Sequence, residues 1–409
     1  MNNLRFSLNI DKNTYESFVS SHIMCNLLQS YDWANVKDNW DHLYTGVYEK
    51  DKLIASSLVL IRHLPLGFTM FYLPRGPILD FDNKDLLTYF FNELKKVAKK
   101  YHCIFIKFDP GIIISSFHLN EEKKYDDYQN QLDNILSLGA IHYGFTQDFH
   151  ATIQPRYHMV EYKEDFGMDT LSKKGKKNIK TAQKQNLKIK YGHLDLLDDF
   201  AAVMKCTEQR KNILLRGKEY YLHLLKTYKE NAFITLAYFP IKEMLHDTEL
   251  RYEKCLEDLK VCPENAKKKR FTLEELKSSL ENKISQYSQD LNKYGEEICV
   301  AGTLSVKYGN TSEILYAGMN DEFKRLMAPY LTWYKTMEKC FEMGCLTSNM
   351  GGIEGDLKGG LVDFKEIFYP RINEFIGEFD LPVNRFLYEI SIKVYKKRQD
   401  RLNDYFAQK

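Results

Sequence analysis

Between His42 and Asp80 the chain falls into three short bursts, LYTGVYE, KLIASSLVLIRH and FTMFYLPRGPIL, rich in β-branched and aromatic residues. A charged break at 49–52 and Pro65–Gly67 separate them, so the pattern predicts a meander of strands. The period then lengthens to that of an amphipathic helix at 85–100, and CIFIKFDP (103–110) returns as a buried strand that closes on Asp109. Ahead of the meander, 4–10 reads as a strand and 12–20 as a helix. In 26–40, Ser30 and Asp32 offer N-cap chemistry, Trp33 and Val36 share a face, and Lys37 sits one turn beyond Trp33.

A helix at 122–137 leads into the strand-like ATIQPRYHMVEY, then helices at 195–210 and 219–229 and a core strand at 231–239. Arg216 lies between those two helices, with Tyr220 one turn on. Residues 242–262 carry Leu245, Tyr252, Leu256 and Leu259, and 271–294 carry Leu273, Leu276, Leu280, Tyr287, Leu291 and Tyr294, both at heptad-like spacing. This predicts an antiparallel helical hairpin, each arm about 30 Å long, with a basic tip at 267–270. The chain resumes with strands at 296–308 and 312–320, a helix at 323–343, the strand and turn CLTSNMGG, a last strand FIGEFD, and a basic helix at 382–403.

One order occurs twice. FTMFYLPRGP, a helix and CIFIKFDP in the first half match SEILYAGMN, a helix and CLTSNMGG in the second. The repeat suggests an α+β protein with two N-acetyltransferase-like (GNAT) domains. The expected limits are 1–148 completed by 378–409, and 149–377, with the coiled-coil hairpin 241–296 inserted in the second. A length of 409 residues accommodates this.

Composition adds little until charge is located. The formal net charge is only +2. However, LSKKGKKNIKTAQKQNLKIK (171–190) holds eight lysines and no acidic residue, where a solvated helix normally mixes signs. A polyanion is one expected partner for it, and a plain solvated face is the other. The eight cysteines form no CxxC pair and no zinc spacing, which predicts no metal site and a reducing, cytoplasmic setting. The N-terminal MNNLRFSLNI does not read as a signal peptide, and no apolar run is long enough to cross a bilayer.

The densest candidate chemistry lies at 345–382. Seven of the chain's 21 glycines fall between Gly344 and Gly377, interrupted by Phe, Leu and Ile. Ordering so much glycine is entropically costly, which points to backbone that must approach a ligand closely. Glu354, Asp356, Lys358, Asp363 and Lys365 are the polar groups at hand. Asp109 ends a core strand, where open sheets place ligand-binding groups, or is simply a turn residue. The glycine loop that grips a coenzyme A pyrophosphate at a helix N-terminus is missing from both expected places, PRGPILDFDNKD and MNDEFKRLMAPY. Acyl-coenzyme A is therefore disfavoured as a donor, and no residue stands out as a covalent nucleophile.

The chain resembles the Fem family (FemABX) of non-ribosomal peptidyl transferases, in particular its MurM-like branch. The resemblance runs through NLLQSYDWANVK (26–37), LPLGFTMFYLPRGPILD (64–80), IKFDP (106–110), LSKKGKKNIKTAQK (171–184), YAGMNDEFKRLMAPYLTWY (316–334) and GIEG with LVDFKEIF and EFIGEFD (352–380). It implies transfer of an amino acid, Ser or Ala, from aminoacyl-tRNA to the stem-peptide lysine amine of a peptidoglycan precursor. That precursor is lipid II or the soluble UDP-MurNAc-pentapeptide, and the work is done in the cytoplasm, peripherally at the inner face of the membrane. No cofactor or metal is implied, because the aminoacyl ester is already activated. By position, Lys37, Arg216, Tyr220 and Tyr316 match precursor-binding residues, Asp109 a site carboxylate, and Phe364–Lys365 the pair near the reacting ester. Lys173, Lys174, Lys176, Lys177 and Lys180 are the expected tRNA contacts. The alternatives are a GNAT-like N-acyltransferase with a different donor and a non-catalytic tRNA-binding protein.

Overall fold

A computed structural model describes residues 4–394. The end of the helix expected at 382–403, and of the segment expected to complete the first domain, lies outside the described residues. The fold is mixed α/β with two sheets. The strands are β1 (Leu4–Leu8), β2 (Asp41–Glu49), β3 (Lys52–His63), β4 (Thr69–Leu73), β5 (Cys103–Phe108), β6 (Ile113–His118), β7 (Ile141–His142), β8 (Tyr157–Tyr162), β9 (Lys188–Gly192), β10 (Ala232–Phe239), β11 (Ile298–Tyr308), β12 (Thr311–Met319), β13 (Thr347–Ile353), β14 (Arg371–Phe375) and β15 (Phe379–Pro382). One sheet runs β1-β2-β3-β4-β5-β15-β7, the other β6-β14-β8-β13-β12-β11-β10-β9.

The twofold pattern read from the sequence is present as topology. The strands β4 and β5 pair in parallel across the helix Lys84–Lys100, and β12 and β13 pair in parallel across Ala328–Glu342. The chain forms two compact units: Met1–Thr170 with Val306–Glu313 and Cys340–Lys409, and Leu171–Ser305 with Ile314–Lys339. The division also falls within β11 and β12, and the first unit runs on to Thr170, past residue 149.

In the first unit, Asn83 caps the helix Lys84–Lys100 by accepting the Leu86 N–H at 3.0 Å. The helix buries Leu86, Leu87, Phe90, Phe91, Leu94, Val97 and Ala98 on one stripe against the first sheet. There Phe108 stacks on Phe379 with centroids 5.3 Å apart, and Phe379 on His142 at 4.5 Å. Strand β15 enters between β5 and β7, far from either in sequence, and is held by charge as well as by rings. The Lys107 ammonium lies 2.5 Å from Glu378 and 2.9 Å from Asp380, and both Tyr143 and Tyr388 donate to Asp380. Burial opposes the charge on Lys107, but the two carboxylates outweigh it and keep its pKa above the ordinary lysine value.

The second unit carries the arm as two antiparallel helices, Ile241–Lys260 and Lys267–Tyr294. Its seam keeps the heptad spacing but not every expected residue. Thr248, Cys255 and Cys262 are buried in it, whereas Leu276 is exposed. Tyr287 anchors the arm base in a core with Phe239 and Phe323. No helix among the described residues is long and apolar enough to cross a membrane.

Because Phe379 closes both the aromatic stack and the strand that carries Asp380, Phe379→Ala is expected to cost about 3–5 kcal/mol of unfolding free energy. Chemical denaturation measures it, and a loss below that of a surface substitution would contradict the role given to β15.

Candidate active site

Parallel pairing puts the ends of β4 and β5 side by side, with Leu73 opposite Phe108. Two residues beyond Leu73, Arg75 takes a positive φ of 52°, and its backbone N–H donates to Asp109 Oδ1 at 3.0 Å. The Arg75 Nε is 3.8 Å from Asp109 Oδ2. Both residues are 2 % exposed. Arg75 Nη2 donates onward to the Pro155 carbonyl at 2.8 Å and to His158 Nε2 at 3.0 Å, while its guanidinium lies 3.9 Å over the Phe375 ring.

His158 sits on β8 with its Nδ1 against the side-chain amide of Asn349 on β13. Asn349 Oδ1 also accepts the Gly351 N–H at 2.8 Å. Here the β13–β8 register shifts between Asn349 and Gly352, a bulge that Gly351 permits with φ +82°. The bulge turns two carbonyls toward the short helix Gly360–Lys365. Lys365 Nζ donates to Gly351 O at 3.1 Å and to Gly352 O at 3.0 Å. Asp109 and Lys365, named separately from the sequence, are thus ends of one buried hydrogen-bonded chain.

The electrostatics of this chain are unusual. Burial alone pushes Lys365 down to about 7. Burial pushes Asp109 up to about 7, opposed by Arg75 and reinforced by Glu378. Burial, and then the cations Arg75 and Lys365, hold His158 well below its usual range, so the imidazole is neutral. Glu313, paired with Asn349 in the β12–β13 register, is half-buried and is likewise lifted by burial to about 7, against Asn349 and Arg75. Asp109 Oδ2 and the Tyr72 hydroxyl are both buried, and Tyr72 acts to lower the Asp109 pKa. Groups poised near neutrality in one place can take up and return protons at physiological pH. Thiol chemistry has no comparable seat: the cysteines are free, and burial raises Cys25, Cys103 and Cys340 to about 12.

Other residues singled out from the sequence fall as follows. In the first unit, Lys37 lies 5.1 Å over the Trp33 ring, and Phe364 is half-buried beside Phe368. In the second, Arg216 lies 4.9 Å over Tyr220, whose ring is 6.0 Å from Tyr316, and Tyr221 packs on Tyr316 at 5.1 Å. Lys173, Lys174, Lys176, Lys177 and Lys180 lie on the helix Lys173–Gln183, all exposed except the half-buried Lys176, with Ile179 and Ala182 facing inward. Ser172 caps this helix through the Gly175 N–H at 3.0 Å. Lysines in a first turn oppose the helix dipole and gain nothing from it in stability. Glu354 and Asp356, left without a role by the sequence, shape loops: they accept the backbone N–H of Phe149 and of Lys358.

Arg75, His158, Asn349, Glu313 and Tyr72 were not singled out by the sequence motifs. A signal existed for His158, a titratable residue in an otherwise core-like strand, and for Arg75, which lies in the turn after β4. Asn349 looked like one more polar residue in a glycine-rich turn.

The FemAB family model matches residues 10–396. The aminoacyltransferase FemA of Staphylococcus epidermidis is 27% identical over 96% of this chain and 98% of its own length. That of Staphylococcus aureus is 28% identical over 88% of this chain and 90% of its own length. A crystal structure of FemX superposes with a TM-score of 0.74 at 24% identity, covering 94% of this chain and 99% of that one, and so shares the fold.

The low Lys365 pKa carries a sign. The unfolded chain binds a proton there up to the ordinary lysine range, while the folded chain releases it near 7. Folding is therefore penalised below pH 7, and the penalty is relieved as pH rises from 7 toward 10.5. Relative to Lys365→Met, the wild type is expected to gain about 3 kcal/mol of stability between pH 6 and pH 9. Urea titrations at the two pH values check this, and parallel behaviour of the two proteins would refute it.

Proposed function

The chain belongs to the FemAB family, and on that premise we propose that it is an aminoacyltransferase that builds the interpeptide bridge of peptidoglycan. It moves an amino acid, Ser or Ala, from aminoacyl-tRNA to the stem-peptide lysine amine of lipid II, with UDP-MurNAc-pentapeptide as the soluble alternative acceptor. It does so in the cytoplasm, peripherally at the inner face of the membrane. The observation that carries this reading is the joining of Asp109 and Lys365 in one buried chain of groups poised near neutrality. Aminolysis of an ester needs an amine stripped of its proton and a cation or donor for the oxyanion, and nothing covalent from the protein.

In the mechanism we assign, Asp109 accepts the proton of the incoming ammonium, and the neutral amine attacks the ester carbonyl. Protonated Lys365 stabilises the tetrahedral oxyanion. As the intermediate collapses, the tRNA ribose hydroxyl leaves with a proton from Lys365, Lys365 takes back the proton that the attacking nitrogen sheds as it becomes the amide, and Asp109 releases its proton to solvent. Phe364 packs beside the reacting ester. Lys37 and Arg216 hold the diphosphate or a peptide carboxylate, for which the planar guanidinium suits Arg216. Tyr220 and Tyr316 line the muramyl peptide. Lys173, Lys174, Lys176, Lys177 and Lys180 take the tRNA phosphates. In this reading the repeats 1–148, completed by 378–409, and 149–377 are the two GNAT-like domains.

Incubation of the purified protein with charged tRNAs and lipid II is expected to add the mass of one aminoacyl residue to lipid II. Asp109→Asn and Lys365→Met are expected to lower that rate by about 10²–10⁴-fold. No mass increment from the wild type with any charged tRNA, or full activity of either folded variant, would overturn the assignment. Charge reversal at Lys173, Lys174, Lys177 and Lys180 is expected to weaken aminoacyl-tRNA binding. It should also flatten the logarithmic salt dependence by roughly 0.7–0.9 for each phosphate that is no longer neutralised. An unchanged slope would remove this helix from the tRNA interface.

A further inference from the structure

We propose that Arg75, His158 and Asn349 form a positioning relay that holds the carbonyl cage of Lys365 and ties it to Asp109. The proposal deepens the reading above and rests on it for the role of Lys365. None of the three has a place in the sequence motifs as functional groups, yet all are at most 9 % exposed, and His158 bridges the other two by hydrogen bonds. Buried polar side chains are expensive unless every atom is matched. A sheet interior that needed only stability would carry apolar residues at these positions.

The Arg75 guanidinium sets the tautomer of His158. Arg75 Nη2 is always a donor, so His158 Nε2 must accept, and the imidazole carries its hydrogen on Nδ1. Asn349 presents its amide there, with Oδ1 at 3.3 Å and Nδ2 at 2.9 Å from Nδ1. Of the two amide atoms only Oδ1 can receive the Nδ1 hydrogen, and it accepts the Gly351 N–H as well; Nδ2, itself a donor, makes no hydrogen bond to that Nδ1–H. One carboxamide oxygen thus sets both the His158 ring and the start of the bulge. The bulge then aims the Gly351 and Gly352 carbonyls at Lys365 Nζ. At the other end, the Arg75 backbone N–H and guanidinium face Asp109. His158 touches neither Asp109 nor Lys365 by hydrogen bond; it acts through its neighbours and is a positioning residue.

The consequence is mechanical. Releasing His158 from Asn349 lets the bulge relax, opens the cage and admits water to Nζ. Lys365 then titrates closer to an ordinary lysine and is displaced from the developing oxyanion.

The decisive measurement is the titration of Lys365 Nζ by heteronuclear NMR of lysine-labelled protein, run beside the transfer assay. The variants are His158→Ala, Asn349→Ala and His158→Gln. In the two alanine variants the Lys365 titration is expected to rise by about one pH unit or more, and kcat to fall by about tenfold to a hundredfold with KM little changed. Glutamine can accept from Arg75 through Oε1 and donate to Asn349 through Nε2, so His158→Gln is expected to restore most of both. A Lys365 titration that stays at the wild-type position in a folded alanine variant overturns the relay, as does a glutamine variant no better than alanine. If either alanine variant does not fold, Asn349→Ser decides in its place: it keeps a hydroxyl for the Gly351 N–H and loses the His158 hydrogen bond. A wild type that transfers nothing defeats the functional reading alone, because the NMR titration still tests the relay.

Discussion

Taking a lysine ammonium out of water costs several kcal/mol unless the protein surrounds it with dipoles and charges of its own. Lys365 meets that cost with two glycine carbonyls, and this choice dictates much of what lies around it. A carboxylate partner would have kept the lysine charged at every physiological pH. Carbonyl dipoles solvate it more weakly, and its pKa drops to about 7. They must also be held still, since adjacent carbonyls in a regular strand point to opposite sides. The bulge at Asn349–Gly352 solves the geometry, and the left-handed conformation of Gly351 makes the bulge possible.

The two ends of this arrangement are matched. Burial raises a carboxyl and lowers an ammonium, so Asp109 and Lys365 meet near the same pH from opposite directions. Neither value depends on a direct contact between them. Arg75 stands at the Asp109 end and neutral His158 in the middle, so charge is not passed along the chain; orientation is. Separated acid and base roles of this kind need environments that differ, and here both are made by burial with unequal compensation.

Elements with a local signal were legible in the sequence. The arm, the core helix at 84–100 and the repeated strand–helix–strand order all follow from periodicity, and the structure contains each of them. The residues of the arm seam were less clear, because Thr248 and Cys255 are small enough to fill positions that a leucine pattern assigns elsewhere, while Leu276 is left outside. Asp109 and Lys365 could be named because each lies in a recognisable motif. Arg75, His158 and Asn349 could not, because what unites them is sheet register between segments far apart in the chain. Strand β6 illustrates the same limit: it lies early in the sequence, yet it pairs with β14 in the second sheet.

The placement of β15 has a consequence for the order in which the molecule is made. This strand, residues 379–382, sits between β5 and β7, and Asp380 and Glu378 neutralise Lys107 two positions before Asp109. A nascent chain leaving the ribosome lacks that strand until β6 to β14 have all emerged, so β5 waits with an open edge and an unneutralised lysine. Assembly of the Asp109 environment is thereby postponed until residues 379–382 have been made, and a chain cut short before 379 lacks the strand that joins β5 to β7.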